Sequence, residues 1–140
     1  MSNVMKLSDA ASIAIHAAVY LAAQTPKVCS APDIARALHV SQAHLIKVLQ
    51  RLTRAHLVTA SRGPKGGFSL ARPADSITLK EVFEGIEGEL TPVRCLLKHP
   101  LCDGTACILG SLVQQINKQS LSYFNDKTLA MLVNVFNTNK

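Results

Sequence analysis

The residues with the most chemistry in this chain are three neighbouring cysteines, Cys95, Cys102 and Cys107, in the stretch CLLKHPLCDGTAC. Their spacing is C-x6-C-x4-C, and Pro100, Asp103 and Gly104 between them favour a loop. Three thiolates on a pliable loop can converge on one soft metal centre, since thiolate sulfur is a preferred ligand of zinc and iron. His99 would complete a Cys3His set for zinc. Without a metal, the same thiols would form a redox switch or have no role. A nucleophilic-cysteine enzyme is not expected. It would need a base beside one thiol, His99 is the only histidine near in sequence, and no oxyanion-type motif accompanies it. Cys29 lies far away in sequence and reads as a small packing residue.

The second constellation is basic. The net charge is +6, yet the segment 36–80 alone holds eight basic residues: Arg36, Lys47, Arg51, Arg54, Arg62, Lys65, Arg72 and Lys80. Only Asp75 opposes them, so the segment carries +7 and the rest of the chain is about neutral. A concentrated positive field suits a polyanion, either nucleic acid or an anionic membrane surface, where a merely solvated face would need no such concentration. The basic residues do not form one amphipathic surface, which argues against the membrane. The apolar run AASIAIHAAVYLAA is shorter than the roughly 20 residues a membrane helix needs. Asp9 precedes it and no cleavage region follows, so it reads as a buried helix of a cytoplasmic protein with reduced cysteines.

These residues need a scaffold. With 140 residues and 48 % hydrophobic content the chain can bury a real core and is not disordered. Aromatic residues are few and Trp is absent, so Ala, Leu, Ile and Val must supply that core. This favours closely packed helices. Residues 8–24 read as a helix capped by Ser8 or Asp9, with Ile13, Ala17 and Leu21 on one face and Pro26 as its stop. Ser30 opens a short second helix, with Pro32 in its first turn and Asp33 placed for a capping box. Ser41 opens a third, with Leu45, Val48, Leu49 and Leu52 facing inward. Its outer face carries Gln42, His44, Lys47, Gln50, Arg51 and Arg54.

Two short helices joined by a tight turn make a helix-turn-helix, and a basic, amide-rich second helix is what a major groove requires. LVTAS (57–61), RGPKGG (62–67) and FSLAR (68–72) then read as a hairpin. A hairpin directly after the recognition helix is a wing. Arg62 and Lys65 supply cations at its tip, Pro64 stiffens it, and Gly66 and Gly67 let its backbone approach the sugar-phosphate edge. Phe68 and Leu70 anchor it on the core. The expected DNA contacts are Ser41, Gln42, His44, Lys47, Arg51, Arg62, Lys65, Gly66 and Gly67.

Residues 77–88 form a helix with Thr78 and Glu81 as capping box and Gly88 as its stop. From Ala106 to about Phe124 a long amphipathic helix is expected, with Ile108, Leu109, Leu112, Val113 and Ile116 as its apolar stripe. The winged core already has its helices, so this stripe reads as a homodimer interface. A two-fold dimer favours a near-palindromic double-stranded operator. TLAMLVNVF (128–136) is expected to be a short helix against that arm. The fold class is mainly α with a small β-hairpin: a winged helix-turn-helix (1–90), a cysteine-containing sensor loop (91–107), then a dimerisation helix and tail (108–140).

Residues 41–88 resemble the core signature of the Rrf-two family of bacterial regulators. Its hallmark R-G-x-x-G-G-[FY]-x-L-x-[KR] matches in full from Arg62 to Arg72, and the resemblance extends from about Met5 to about Tyr123. It implies a dimeric winged-helix transcription factor. It also implies that Cys95, Cys102 and Cys107 hold a 2Fe–2S or 4Fe–4S cluster sensing redox state, nitric oxide or cluster supply. One branch of the family would supply a histidine as fourth ligand shortly after the third cysteine, where this chain has Gly110. Another would use an acidic residue in the first helix of the partner subunit. Here Ser12 takes that position, with Asp9 one turn earlier, and His99 and Asp103 in the loop are further candidates.

Overall fold

The computed structural model describes residues 6–102 and 106–137. Helix α1 (Asp9–Gln24) runs through the middle of the core. Its buried positions are Ala11, Ala14, Ala17, Ala18, Val19, Leu21 and Ala22, and the alanines let neighbouring elements approach its backbone closely. Ser8 is the N-cap, its Oγ accepting from the Ala11 N–H at 3.0 Å. His16, the polar residue inside the apolar run, is exposed.

Helices α2 (Ala31–Leu38) and α3 (Gln42–Arg54) form the helix-turn-helix. Ser30 and Ser41 cap them, accepting from the Asp33 N–H at 3.3 Å and the His44 N–H at 3.1 Å. The turn between them needs a left-handed residue, and His39 takes it with φ 56°. The expected capping box at α2 does not form. The Asp33 carboxylate is one methylene shorter than that of Glu and pairs instead with Arg36 at 3.2 Å. Leu45, Val48, Leu49 and Leu52 of α3 are buried as their spacing predicts.

Strands β1 (Val58–Ser61) and β2 (Gly67–Leu70) pair antiparallel, with Val58 opposite Leu70 and Ser61 opposite Gly67. Cys29 adds a third rung at the base: its N–H donates to the Phe68 carbonyl at 2.9 Å and its carbonyl accepts from the Phe68 N–H at 2.7 Å. A 3₁₀ turn (Ala74–Ser76) leads into α4 (Leu79–Glu87), whose capping box is complete. Thr78 Oγ1 accepts from the Glu81 N–H at 3.2 Å, and Glu81 Oε2 accepts from the Thr78 N–H at 3.0 Å.

Helix α5 spans Leu112–Asp126. It starts later than the hydrophobic pattern suggests, because Gly110 takes a left-handed φ of 59° and the Gly110 N–H closes a turn on the Cys107 carbonyl at 2.9 Å. Ile108 and Leu109 therefore lie in a turn, ahead of the helix. The tail also departs from expectation. Residues Leu129–Phe136 form a 3₁₀ helix that packs against α1, not against α5, with Tyr20 and Phe136 edge-to-face at 5.4 Å. Its entry is stitched to the segment before α4: the Leu129 N–H donates to the Ile77 carbonyl at 2.9 Å and the Leu79 N–H to the Lys127 carbonyl at 3.0 Å. Ile77 and Leu129 are both fully buried, so the tail closes the main core. The tail itself has too few polar positions to stand in water, and the apolar side of α1 is the nearest cover.

Candidate nucleic-acid interface

Helix α3 presents its basic side outward because its four leucine and valine positions are held in the core. Gln42, Lys47, Gln50, Arg51 and Arg54 are exposed, and His44 is half-buried. Ser41 is exposed but its hydroxyl is engaged as the cap. Arg51 is less free than its exposure suggests: its guanidinium donates to the Ile86 carbonyl in the last turn of α4. That contact ties α3 to α4 and leaves the other guanidinium donors for a phosphate. Ala43, Lys47, Gln50 and Arg54 share one exposed stripe. Gln50 and Arg54 lie on the same face as Lys47, three and seven residues beyond it.

The wing carries Arg62 and Lys65 exposed to solvent. Its tip is a turn from Gly63 to Gly66, closed by the Gly66 N–H donating to the Gly63 carbonyl at 2.9 Å. Apart from any approach to a sugar-phosphate edge, the fold itself requires glycine at 66 and 67. A Cβ on Gly66 would meet the Ser61 carbonyl oxygen at 2.3 Å, and one on Gly67 would meet the Cys29 carbonyl oxygen at 2.3 Å. Both are glycine because backbone passes against them inside the protein. Phe68 and Leu70 pack against the core as expected. Arg72, counted with the basic field, is neutralised by Glu81 at 2.8 Å.

Cys95, Cys102 and Cys107 line one apolar cavity of about 320 Å³ with Leu96, Leu97, Leu101, Ala106, Ile108, Leu109 and Val113. Cys95 is half-buried and accepts from the Leu97 N–H at 3.4 Å, whereas Cys102 and Cys107 are exposed. The loop lies between α4 and α5, and Asn117 of α5 donates to the Val93 carbonyl just before it. The three thiols thus share a space, and sulfur donors on apolar walls suit a soft metal centre. Among the described residues no fourth donor lines the cavity. Among the described residues no group of three or more His, Cys, Asp or Glu is arranged to hold a metal ion. His99 is exposed and outside the cavity lining, Asp103 lies outside the described residues, and Asp9 and Ser12, on α1, do not line the cavity.

The apolar stripe expected at a dimer interface is divided. Ile108, Leu109 and Val113 wall the cysteine cavity, while Leu112 and Ile116 are exposed on α5 at 47 % and 44 %. No helix of the described residues is long and apolar enough to cross a membrane. Cys29 is 3 % exposed, and burial, the largest cause, raises its thiol pKa above the ordinary value.

A helix-turn-helix with a basic exposed second helix, followed by a basic wing, defines a DNA-binding transcription regulator of the winged-helix class. The chain belongs to the Rrf2 family: that family's model, described as an iron-dependent transcriptional regulator, matches residues 7–135. It is a regulator and not an enzyme. The chain is 42 % identical over 115 residues to protein aau3 of Rhizobium meliloti (strain 1021), covering 79 % of this chain and 73 % of that one. It is 30 % identical over 102 residues to the HTH-type transcriptional regulator IscR of Klebsiella pneumoniae (strain 342), covering 73 % and 63 %. Among solved structures, CymR, the global cysteine regulator of B. subtilis, matches with a TM-score of 0.78 at 22 % identity over 94 % of this chain and 98 % of that one. IscR of T. potens matches with a TM-score of 0.73 at 22 % identity, over 98 % and 93 %. At that identity the two structures speak for the fold alone. Rrf2 regulators bind DNA and are typically dimers.

Proposed function

We propose that this chain is a homodimeric repressor that reads a near-palindromic operator and senses redox state, nitric oxide or iron–sulfur supply through its cysteine loop. In this reading Gln42, His44 and Lys47 of α3 enter the major groove, with Ser41 at its lip. Arg51, Arg62 and Lys65 bind phosphates, with Gly66 and Gly67 letting the wing tip lie low. Leu112 and Ile116 of α5 meet a second copy, and Ile108, Leu109 and Val113 continue that face into the cavity wall. Such a dimer sets its two recognition helices about one helical turn of DNA apart, or a multiple of it.

The observation that carries the sensing role is the shared apolar cavity of Cys95, Cys102 and Cys107. These thiols are the residues that would hold a 2Fe–2S or 4Fe–4S cluster, and the family likeness to IscR points the same way. When bound, such a cluster supplies one-electron redox chemistry and reactivity toward nitric oxide. The loop's place between α4 and α5 lets a change in its shape alter the angle between the DNA-reading heads. A fourth ligand would come from His99 or Asp103 in the loop, or from Asp9 or Ser12 on α1 of a second copy. The coupling to DNA binding amounts to about 1–3 kcal/mol, the usual range for linked sites.

That the described lining holds three thiols and no fourth donor favours a second reading, a regulator without a cluster that uses zinc with His99 or a thiol switch. One experiment separates them. Protein purified without oxygen is assayed for iron, sulfide and zinc and its absorption spectrum recorded, alongside the Cys102→Ala variant. Visible charge-transfer bands with iron and sulfide, lost in Cys102→Ala, are expected. A colourless protein without iron after cluster reconstitution leaves the second reading.

A further inference from the structure

We infer that Arg72 and Glu81 are positioning residues that aim the wing, resting on the reading above that the wing touches DNA. Arg72 is the second residue beyond β2. One of its guanidinium nitrogens donates to both Glu81 carboxylate oxygens, at 2.9 and 2.8 Å, and to the Ser76 carbonyl at 2.9 Å. Glu81 is also the carboxylate of the α4 capping box. The exit of the wing is therefore clamped to the first turn of α4 by an ion pair lying across the connecting segment.

That segment is held on its other side as well. The Ile77 carbonyl and Leu79 N–H are bridged to Leu129 and Lys127, the residues that directly follow α5. At the base of the wing, the Ala71 N–H donates to the Leu57 carbonyl at 3.0 Å. The strands thus leave the protein through a short stretch that is hydrogen-bonded to α4, to the end of α5 and to the chain entering β1. The wing cannot swing as a unit without parting Arg72 from Glu81. Arg72 spends its charge inside this clamp, so it is a strut and not a phosphate contact. Lys65 and Arg62, at the tip, are then carried by the orientation the strut sets.

The clamp makes a prediction opposite in sign to electrostatics. Glu81→Gln removes a negative charge near the wing, so Coulomb's law alone predicts tighter DNA binding. Gln still completes a capping box. Its single carbonyl oxygen can keep the cap and one bond from Arg72, as Glu81 Oε2 does, but the negative charge and the second acceptor for Arg72 are lost. The pair is 41 % and 39 % exposed, so its loss leaves the core intact.

The test compares wild type, Arg72→Gln, Glu81→Gln and the double variant on a duplex selected from a random-sequence library by the wild-type protein. Each single variant is expected to bind about threefold to fivefold more weakly, with the double no weaker than either single. In the free proteins, amide hydrogen exchange across 58–70 is expected to quicken in both single variants while α3 stays protected. If Glu81→Gln binds as tightly as wild type or tighter, and Arg72→Gln lowers the salt slope by about one, Arg72 is a phosphate contact and the inference is overturned. Unchanged exchange in the wing overturns it too. Should the wild type select no duplex, the DNA-binding reading itself fails, and hydrogen exchange still decides whether the clamp holds the wing.

Discussion

Lys47 and Arg51 are one helical turn apart and carry the same charge, yet the structure gives them different work. Lys47 is exposed, whereas Arg51 donates to the Ile86 carbonyl. Lys47→Ala is expected to weaken operator binding and reduce the salt slope by about one, read from affinity against log salt, with little change in melting temperature. Arg51→Ala is expected to cost stability as well, by about 1–3 kcal/mol, since a charged hydrogen bond between α3 and α4 is lost. Denaturant unfolding of the two variants separates the roles. The cysteines divide in the same way. Cys102 and Cys107 are exposed and Cys29 is 3 % exposed with a raised thiol pKa. Alkylation of the native metal-free protein should label Cys95, Cys102 and Cys107 first and Cys29 only on unfolding, as mass spectrometry of the peptides would show. Early labelling of Cys29 would mean the wing base opens freely. The sign of the linked pH effect follows. A raised folded-state pKa favours the protonated thiol, so this contribution is present below the ordinary thiol pKa and is lost as pH rises through the raised value.

At the scale of elements, the wing depends on glycine for internal reasons. Gly67→Ala drives a methyl into the Cys29–Ser30 backbone and should cost about 1–3 kcal/mol in unfolding free energy and loosen the hairpin. Gly63→Ala meets open space, and its cost comes only from φ +100° at the turn. Thermal melts of the two should show which glycine the fold leans on more. Equal losses would mean that the backbone shifts to admit the methyl at Gly67. The start of α4 is cap-dependent in a different way. Thr78→Ala removes one half of a completed capping box and should cost about 1 kcal/mol.

For the whole molecule, the position of the tail decides how the parts cooperate. Ile77 and Leu129 are both fully buried and joined by the Leu129 N–H donating to the Ile77 carbonyl, so the residues after α5 belong to the same core as the helix-turn-helix. Leu129→Ala should therefore lower the stability of the whole unit by about 2–5 kcal/mol, in one cooperative transition monitored at both wing and tail. Two separate transitions would mean the tail is an independent appendage. The exposed Leu112 and Ile116 point to the remaining scale, that of the assembly. Ile116→Glu should shift the protein toward monomer in sedimentation while leaving its helix content unchanged, and operator affinity should fall with it because two half-sites are no longer read together.

Local signals alone determined a great deal of this protein. The caps at Ser8, Ser30, Ser41 and Thr78, the inward stripe of α3 and the hairpin around Gly63–Gly66 were all legible, because each rests on residues within a few positions of one another. So was the family motif from Arg62 to Arg72, and with it the winged-helix class. Long-range contacts decided the rest. That Gly67 faces backbone depends on Cys29 pairing with Phe68 across a distance of chain that no period spans. The start of α5 was set by the left-handed Gly110, against an apolar spacing that continued straight through it. The tail's place against α1 and the commitment of Arg51 and Arg72 to α4 follow from burial and hydrogen-bond satisfaction. Those two demands are met only when distant segments fold together, so residue types alone could announce the charges and not their partners.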